Sequence, residues 1–257
     1  MSNLLVAFER LVHVMTELRE KCPWDIKQTN ESLRYLTLEE CYELSDAILE
    51  GNHHDIKEEL GDILLHVIFY SIIGLENNQF DLTDVITSQT QKLIDRHPHI
   101  YSNVKVQDVK DVKRNWELLK LKENNKKSIL SGVPKSLPAM LKSYRIQEKV
   151  KGVGFDFPDD KSAFNKITEE INEFSHELDN KNIDKAIEEF GDLLFALIGY
   201  AQKKGINSMD ALEKANKKFI SRFTKMESLI IKQEKSIADY SIEELDQFWI
   251  QAKKETD

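Results

Sequence analysis

The sequence predicts an all-α protein, and three observations carry that prediction. Only 9 glycines and 5 prolines occur in 257 residues, where ordinary usage would give roughly 31 of the two together. Sandwiches, barrels and propellers need more turn formers than that, so long helices with few connections remain. Apolar residues also recur at helical spacing, as in Leu4, Leu5, Phe8, Leu11, Val12, Met15 and Leu18. Finally, the chain is written twice. Adding 130 to Glu39, Glu40, Glu43, Glu58, Glu59, Gly61 and Asp62 gives Glu169, Glu170, Glu173, Glu188, Glu189, Gly191 and Asp192. A period of that size is a whole domain rather than a solenoid repeat.

In chain order, the first helix covers the Leu4–Leu18 stripe, and Pro23-Trp24-Asp25 punctuates the chain behind it. A second helix carries Leu38-Glu-Glu-Cys-Tyr-Glu-Leu44 and ends at Gly51-Asn52. A third starts near Asp55, the expected N-cap, and carries Glu58-Glu-Leu-Gly-Asp62 into the apolar run Ile63–Leu75. That run, about 13 residues with His66 inside it, is too short for a membrane span. In the second copy, Asn180-Lys-Asn182 breaks the corresponding helices and Asp184 is the expected N-cap. Between the copies lies a stretch without helical periodicity that holds Pro134 and Pro138. The expected organisation is a first domain over 1–123, a linker over 124–137 and a second domain over 138–257.

Weaker echoes extend the duplication. Lys92 and Arg96 match Lys218 and Arg222, and Trp116 and Lys120 match Trp249 and Lys253. The composition sets further bounds: 45 acidic against 36 basic residues leave a net charge of −9. Non-specific binding to a nucleic acid polymer needs an excess of cations, so that class is excluded. Cys22 and Cys41 form no CxxC pair, which fits a reduced, cytoplasmic setting. Glu9 and Arg10 interrupt the apolar opening, unlike a secretory signal.

The acids carry the chemistry. Glu40 and Glu43 share one helix face, as do Glu59 and Asp62. If the turn folds the helices antiparallel, both pairs face one gap, and Glu170, Glu173, Glu189 and Asp192 do the same in the second copy. Four converging carboxylates repel and raise one another's pKa values unless a cation neutralises them. An oxygen-only set fits a hard ion, Mg²⁺ or, as a substitute, Mn²⁺. Mg²⁺ keeps waters and binds substrate phosphates, so the pattern points to a reaction centre in which metal-activated water attacks a phosphate. No Ser or Cys stands out as a nucleophile. Two other readings are weaker. A di-iron or di-manganese protein uses Glu-x-x-His on paired helices; Glu173-x-x-His176 qualifies, but Asp46 replaces the histidine in the first copy. A non-enzymatic helical module leaves both acidic faces solvated, yet here the acids lead into core-like runs, where an uncompensated charge is costly.

The paired EExxE and ExxD motifs, the Glu-Leu-Gly-Asp run and the tandem arrangement resemble the MazG family of nucleoside triphosphate pyrophosphohydrolases. So do Cys22-Pro-Trp-Asp25, Arg96-His-Pro-His99, Val153-Gly-Phe-Asp156, Asn216-Lys-Lys-Phe-Ile-Ser-Arg222 and Pro134-Lys-Ser-Leu-Pro138. The resemblance implies two helical MazG-type domains, with each site a four-helix-bundle-like arrangement completed by dimerisation, hence a homodimer. It also implies Mg²⁺-dependent cleavage of NTPs and dNTPs between the α- and β-phosphates, to a nucleoside monophosphate and pyrophosphate.

The substrate needs cations and an aromatic face besides metal. Lys218 and Arg222, with Lys92 and Arg96 in the first copy, are the basic pairs. Trp249 is the base-stacking or site-closing aromatic with Lys253 one turn on; Trp116 and Lys120 are their counterparts. Lys166 and Lys185 each precede a ligand acid, Glu170 and Glu189, by one turn, whereas Leu36 and Asp55 stand at those places in the first copy. Glu169 and Glu188 flank the ligands and complete the candidate substrate-binding set. The second copy is therefore expected to be the main catalytic unit.

Overall fold

The computed structural model describes residues 2–108, 111–112, 115–119, 128–233 and 236–256, and the regular elements among them are all helices. They form two compact units, Met1–Val106 and Gln107–Asp257. This division lies ahead of the expected linker, so helical residues 115–119 count with the second unit. The expected boundary at 123 and the linker residues 124–127 lie outside the described residues. The remainder of the expected linker contains a short 3-10 turn, Ile129–Gly132.

The first unit holds α1 (Asn3–Lys21), α2 (Asn30–Glu50), α3 (His53–Glu76) and α4 (Leu82–Arg96), followed by a single helical turn at Pro98–Tyr101. Local chemistry sets the boundaries. Thr29 and Ser32 form a reciprocal capping box at the start of α2, and Asp81 and Asp84 do so for α4. Gly51 ends α2 in the left-handed region at φ 69°. Asn52, not Asp55, then caps α3, its side-chain oxygen accepting the N–H groups of His54 and Asp55. Asn182 likewise occupies the N-cap of the corresponding helix in place of Asp184, although without a side-chain bond. Once the turn residue reverses the chain, an amide at the next position serves as the cap, and both aspartates fall in the first helical turn, facing the positive end of the dipole.

The core of this unit is Met15, Leu33, Ile68, Phe69 and Ile73, so α1 and α2 both bury a stripe against α3. Each such fully buried side chain is worth about 1.5–3 kcal/mol over its exposed state. Arg19 fastens the turn after α1: its guanidinium donates twice to Glu76 at 2.8 Å and also reaches the carbonyls of Asp25 and Gln28.

The second unit holds α5 (Ala139–Gly152), α6 (Asp160–Asp179), α7 (Ile183–Lys203), α8 (Ser208–Ile231) and α9 (Ile242–Thr256). Helices α6 and α7 form its closest pair. Lys181 takes the left-handed conformation between them at φ 57°, the position of Gly51 in the first copy. Helix α5 is joined to α7 by polar side chains: Gln147 donates to the Phe195 carbonyl at 2.6 Å and Lys151 to that of Gly199 at 3.0 Å. Gln202 of α7 returns a bond to the Tyr144 carbonyl at 2.8 Å. Lys149 and Glu117 make an ion pair at 2.7 Å with side chains only 4% and 12% exposed, which fixes residues 115–119 against α5. Helices α8 and α9 share their own core of Met226, Ile230 and Ala252 and touch α7 only slightly.

Candidate active site

The α2–α3 hairpin brings three of the four predicted acids of the first unit together. Oxygens of Glu40, Glu59 and Asp62 lie within 4.8 Å of one another. Glu43 adds its charge to Glu40 and Glu59. Burial, together with these like charges, raises the pKa of Glu40 and of Glu59, which hydrogen-bond to each other. Glu59 Oε2 is buried without a hydrogen-bond partner. An acceptor of that kind is expensive to leave bare, and a bound cation would satisfy it.

The α6–α7 hairpin repeats the arrangement at the same register. Glu170, Glu189 and Asp192 converge within 4.8 Å, and so do Glu169, Glu170 and Glu173. Here Glu170 is 4% exposed and belongs to both groups. Burial and the charges of Glu173, Glu170 and Asp192 raise the pKa of Glu189. Among the described residues this cluster, unlike the first, contains a cation of its own. Lys166 contacts Glu169 and Glu170, each at 2.6 Å, and these contacts raise its pKa. Its equivalent in the first unit is Leu36. Both donor sets suit a hard divalent ion, since carboxylate oxygens supply the ligands and acids outnumber cations in each cluster.

The other predicted residues divide into two groups. Lys185, Lys218 and Lys253 are exposed and make no ion pair among the described residues. Glu188 is exposed on α7. Lys218 and Arg222 lie on α8, and Trp249 stands across from Phe219 at 5.1 Å between ring centres, with Lys253 one turn beyond. These cations and this aromatic thus belong to the α8–α9 pair, not to the α6–α7 pair that carries the acids. In the first unit Lys92 and Arg96 sit on α4, Lys92 donating to Gln89 at 3.2 Å. Lys120 lies outside the described residues. Trp116 counts with the second unit, where it lines a cleft of about 970 Å³ with Tyr144, Arg145, Lys151, Asp156 and Lys203. Burial lowers the pKa of Lys151 there.

Two features of the first unit escape the sequence motifs. His66 is buried one turn beyond Asp62, and desolvation holds its pKa below the ordinary histidine value. Thr37 donates to the Leu33 carbonyl and exchanges a 2.7 Å hydrogen bond with Tyr70, a polar link between α2 and α3. The signal for both is a break in the repeat: Ala196 stands at the place of His66 and Ile167 at that of Thr37.

Comparison with known proteins joins these observations. The MazG nucleotide pyrophosphohydrolase domain matches this chain twice, at residues 28–101 and 159–226, and each match contains one acidic hairpin. A Thermotoga maritima protein named nucleoside triphosphate pyrophosphohydrolase/pyrophosphatase MazG is 41% identical over 252 residues, covering 96% of either chain. An Escherichia coli K12 nucleoside triphosphate pyrophosphohydrolase is 35% identical over 255 residues, covering 96% of this chain and 97% of its own. A Bacillus subtilis protein, YabN, is 41% identical over 258 residues, which make up 52% of its length. With the two acidic hairpins at one register and both inside the matched spans, the chain belongs to the MazG nucleotide pyrophosphohydrolase family.

Proposed function

We propose that the protein hydrolyses nucleoside triphosphates between the α- and β-phosphates, releasing a monophosphate and pyrophosphate with Mg²⁺ as the cofactor. The observation that carries this reading is the carboxylate convergence on α6 and α7, repeated on α2 and α3. Glu170, Glu173, Glu189 and Asp192 would hold the ion in the second unit, and Glu40, Glu43, Glu59 and Asp62 form the counterpart set. When bound, Mg²⁺ supplies charge to the transferring phosphate and acidity to a coordinated water. The protein supplies the rest. Burial and the neighbouring acids raise the pKa of Glu189, so it holds a proton more tightly than an ordinary carboxylic acid. Lys166, which contacts Glu169 and Glu170, would offer its ammonium to a phosphate oxygen where a divalent ion neutralised those acids. Lys185 and Glu188, on the next helix, flank the same gap. Lys218, Arg222 and Lys253 bind the remaining phosphate charge, and Trp249 stacks on the base.

The acids and this second group sit on different helix pairs, and a second copy of the chain is what we propose brings them together. Ile183, Ile187, Phe190, Leu194 and Leu197 recur every three or four residues along α7, all exposed. Leu60, Leu64 and Val67 form a similar stripe on α3. Apolar stripes of this length beside a charged gap are covered by self-association. Trp116, Lys120, Lys92 and Arg96 are read as auxiliary substrate contacts. No helix among the described residues is long and apolar enough to cross a membrane, and two free cysteines accord with a cytoplasmic enzyme.

The test is to incubate the protein with a panel of NTPs and dNTPs plus Mg²⁺ and to identify the products. Monophosphate plus pyrophosphate is expected; diphosphate plus orthophosphate would overturn the assigned bond. Mass photometry of the Ile187→Glu variant checks the dimer, with a shift to the monomer mass expected.

A further inference from the structure

The contact between α5 and α7 is polar where its counterpart in the first unit is core. Phe69, Ile72 and Ile73 pack into the centre of the first unit, with Phe69 and Ile73 only 1% and 4% exposed. Adding 130 to their numbers gives Gly199, Gln202 and Lys203 on α7. A phenyl ring and two branched chains are thus gone from this face, each worth about 1.5–3 kcal/mol when fully buried. Gln147 of α5 takes part of the space, and a Cβ on Gly199 would collide with its amide. Beside it lies the cleft of about 970 Å³, formed within the second unit, which Gln202 and Lys203 line together with Trp116, Tyr144, Arg145 and Lys151. Core traded for a polar hollow of ligand size marks a functional place. It is separate from the acidic gap, since Asp192 and Gln202 stand about 15 Å apart along α7.

The charges of the lining say what fits. Among the described residues its acids are Asp111, Glu117, Glu148 and Asp156. Glu117 is paired with Lys149, Glu148 with Arg145 and Asp156 with Lys203, while Asp111 accepts the N–H of Gln107. Lys151 makes no ion pair among the described residues; it donates to the Gly199 carbonyl at 3.0 Å, which leaves two of its three N–H groups. Burial costs its ammonium more than nearby Asp156 returns, and Lys203 adds a like charge. One anion would restore that balance, whereas a chain of phosphates would run into the acids. The Trp116 and Tyr144 rings supply faces of the kind on which bases stack. We propose that the cleft is a second nucleotide site, taking a nucleoside monophosphate with its phosphate at Lys151 and Lys203 and its base against Trp116 and Tyr144. Trp116 then meets nucleotide here and not at the acids. The reaction proposed above releases such a molecule, so occupancy would register product, but the binding itself does not rest on that reaction.

The experiment uses the full chain with Trp24→Phe and Trp249→Phe, so that Trp116 is the sole indole, and EDTA keeps the acidic hairpins free of metal. AMP, GMP, CMP and UMP are titrated by Trp116 emission and by calorimetry. The tightest is then compared with its nucleoside, its triphosphate and ribose 5-phosphate. One monophosphate per chain is expected, with the indole quenched. The nucleoside and ribose 5-phosphate should each bind at least about tenfold more weakly, and the triphosphate no more tightly. Lys151→Met should weaken the monophosphate by about tenfold or more, as for loss of a hydrogen bond to a charged group, with circular dichroism to check folding. Gln202→Ile with Lys203→Ile, the first unit's residues, should abolish binding. No monophosphate binding, binding that leaves Trp116 emission unchanged, or equal affinity after Lys151→Met overturns the proposal. So does a triphosphate bound about tenfold more tightly than its monophosphate, a difference of about 1.4 kcal/mol. Should Lys151→Met not fold, Lys203→Gln decides by the same criterion. Pyrophosphate release by the unaltered chain with Mg²⁺ tests the hydrolysis reading separately: release without monophosphate binding in the cleft overturns this proposal alone, and binding without release leaves it standing.

Discussion

Glu40 and Glu170 occupy one position of the repeat and meet different surroundings. Glu40 shares a hydrogen bond with Glu59, and burial beside Asp62 and Glu43 raises its pKa. Glu170 is more deeply buried but is held at 2.6 Å by Lys166. The carboxylate geometry is common to both units, whereas the neutralising charge is not. A hydrogen bond between acids marks one unit, and a tethered ammonium marks the other. The outer helices differ in the same sense. Helix α1 meets α3 through Met15, Ile68 and Phe69, while α5 meets α7 through Gln147, Lys151 and Gln202. The duplication has preserved the pair that carries the acids and allowed its supports to diverge.

The comparison breaks most sharply at the metal ligands. Glu189→Ala should lower turnover by about a hundredfold or more, since even outer groups at metal sites cost 10–100-fold. Glu59→Ala should leave most of the activity; steady-state pyrophosphate release measures both, and the reverse order would reassign the catalytic unit. A smaller effect is expected where the lysines differ. Lys185→Asp installs the first unit's residue and removes a charged contact worth about 1.5–3 kcal/mol, roughly ten- to a hundredfold in kcat/KM. The loss should appear mainly in KM if the lysine binds ground state and transition state alike.

The pH dependence of stability sharpens the comparison further. Glu40, Glu59 and Glu189 have pKa values raised above those of the unfolded chain, so the folded protein holds their protons more tightly. Their contribution to stability is fully present below the unfolded value and falls as pH rises through the window up to the raised value. Scanning calorimetry without metal should therefore show these groups costing stability at neutral pH. Added Mg²⁺ should raise Tm at neutral pH, the stability gain being about 2.7 kcal/mol at a free concentration a hundred times its dissociation constant. That increment should shrink as the pH falls through the same window. The smallest effect lies at the turns. Lys181→Gly relieves a left-handed residue that Gly51 supplies for free in the other unit, and it should stabilise by about 0.5–1 kcal/mol. Gly51→Ala should destabilise by a similar amount, and thermal melts compare the two.

Much of this is legible in the sequence because a helix fixes which residues share a face. The spacing of Glu59 and Asp62, and of Lys166 and Glu170, requires the contacts seen between them. The turn is encoded by Gly51-Asn52, although the cap is the amide one residue past the glycine rather than the expected Asp55. His66 is hidden because it lies inside the apolar run Ile63–Leu75, where a histidine reads as core; only its mismatch with Ala196 marks it. Trp116 cannot be placed from its likeness to Trp249, since what a side chain packs against depends on contacts far away in sequence. Lys149 and Glu117, which draw that segment toward α5, are separated by 32 positions.

The Phe219–Trp249 pair has a practical consequence. The chain has 3 tryptophans: Trp24, largely exposed on the first unit, Trp116 in the cleft beside α5, and Trp249 on α9. With Trp24 and Trp116 changed to phenylalanine, the emission of the remaining indole becomes an optical gauge of events at α9. A base stacking on it would quench the light without any label, and stopped-flow mixing would then time nucleotide arrival separately from bond cleavage.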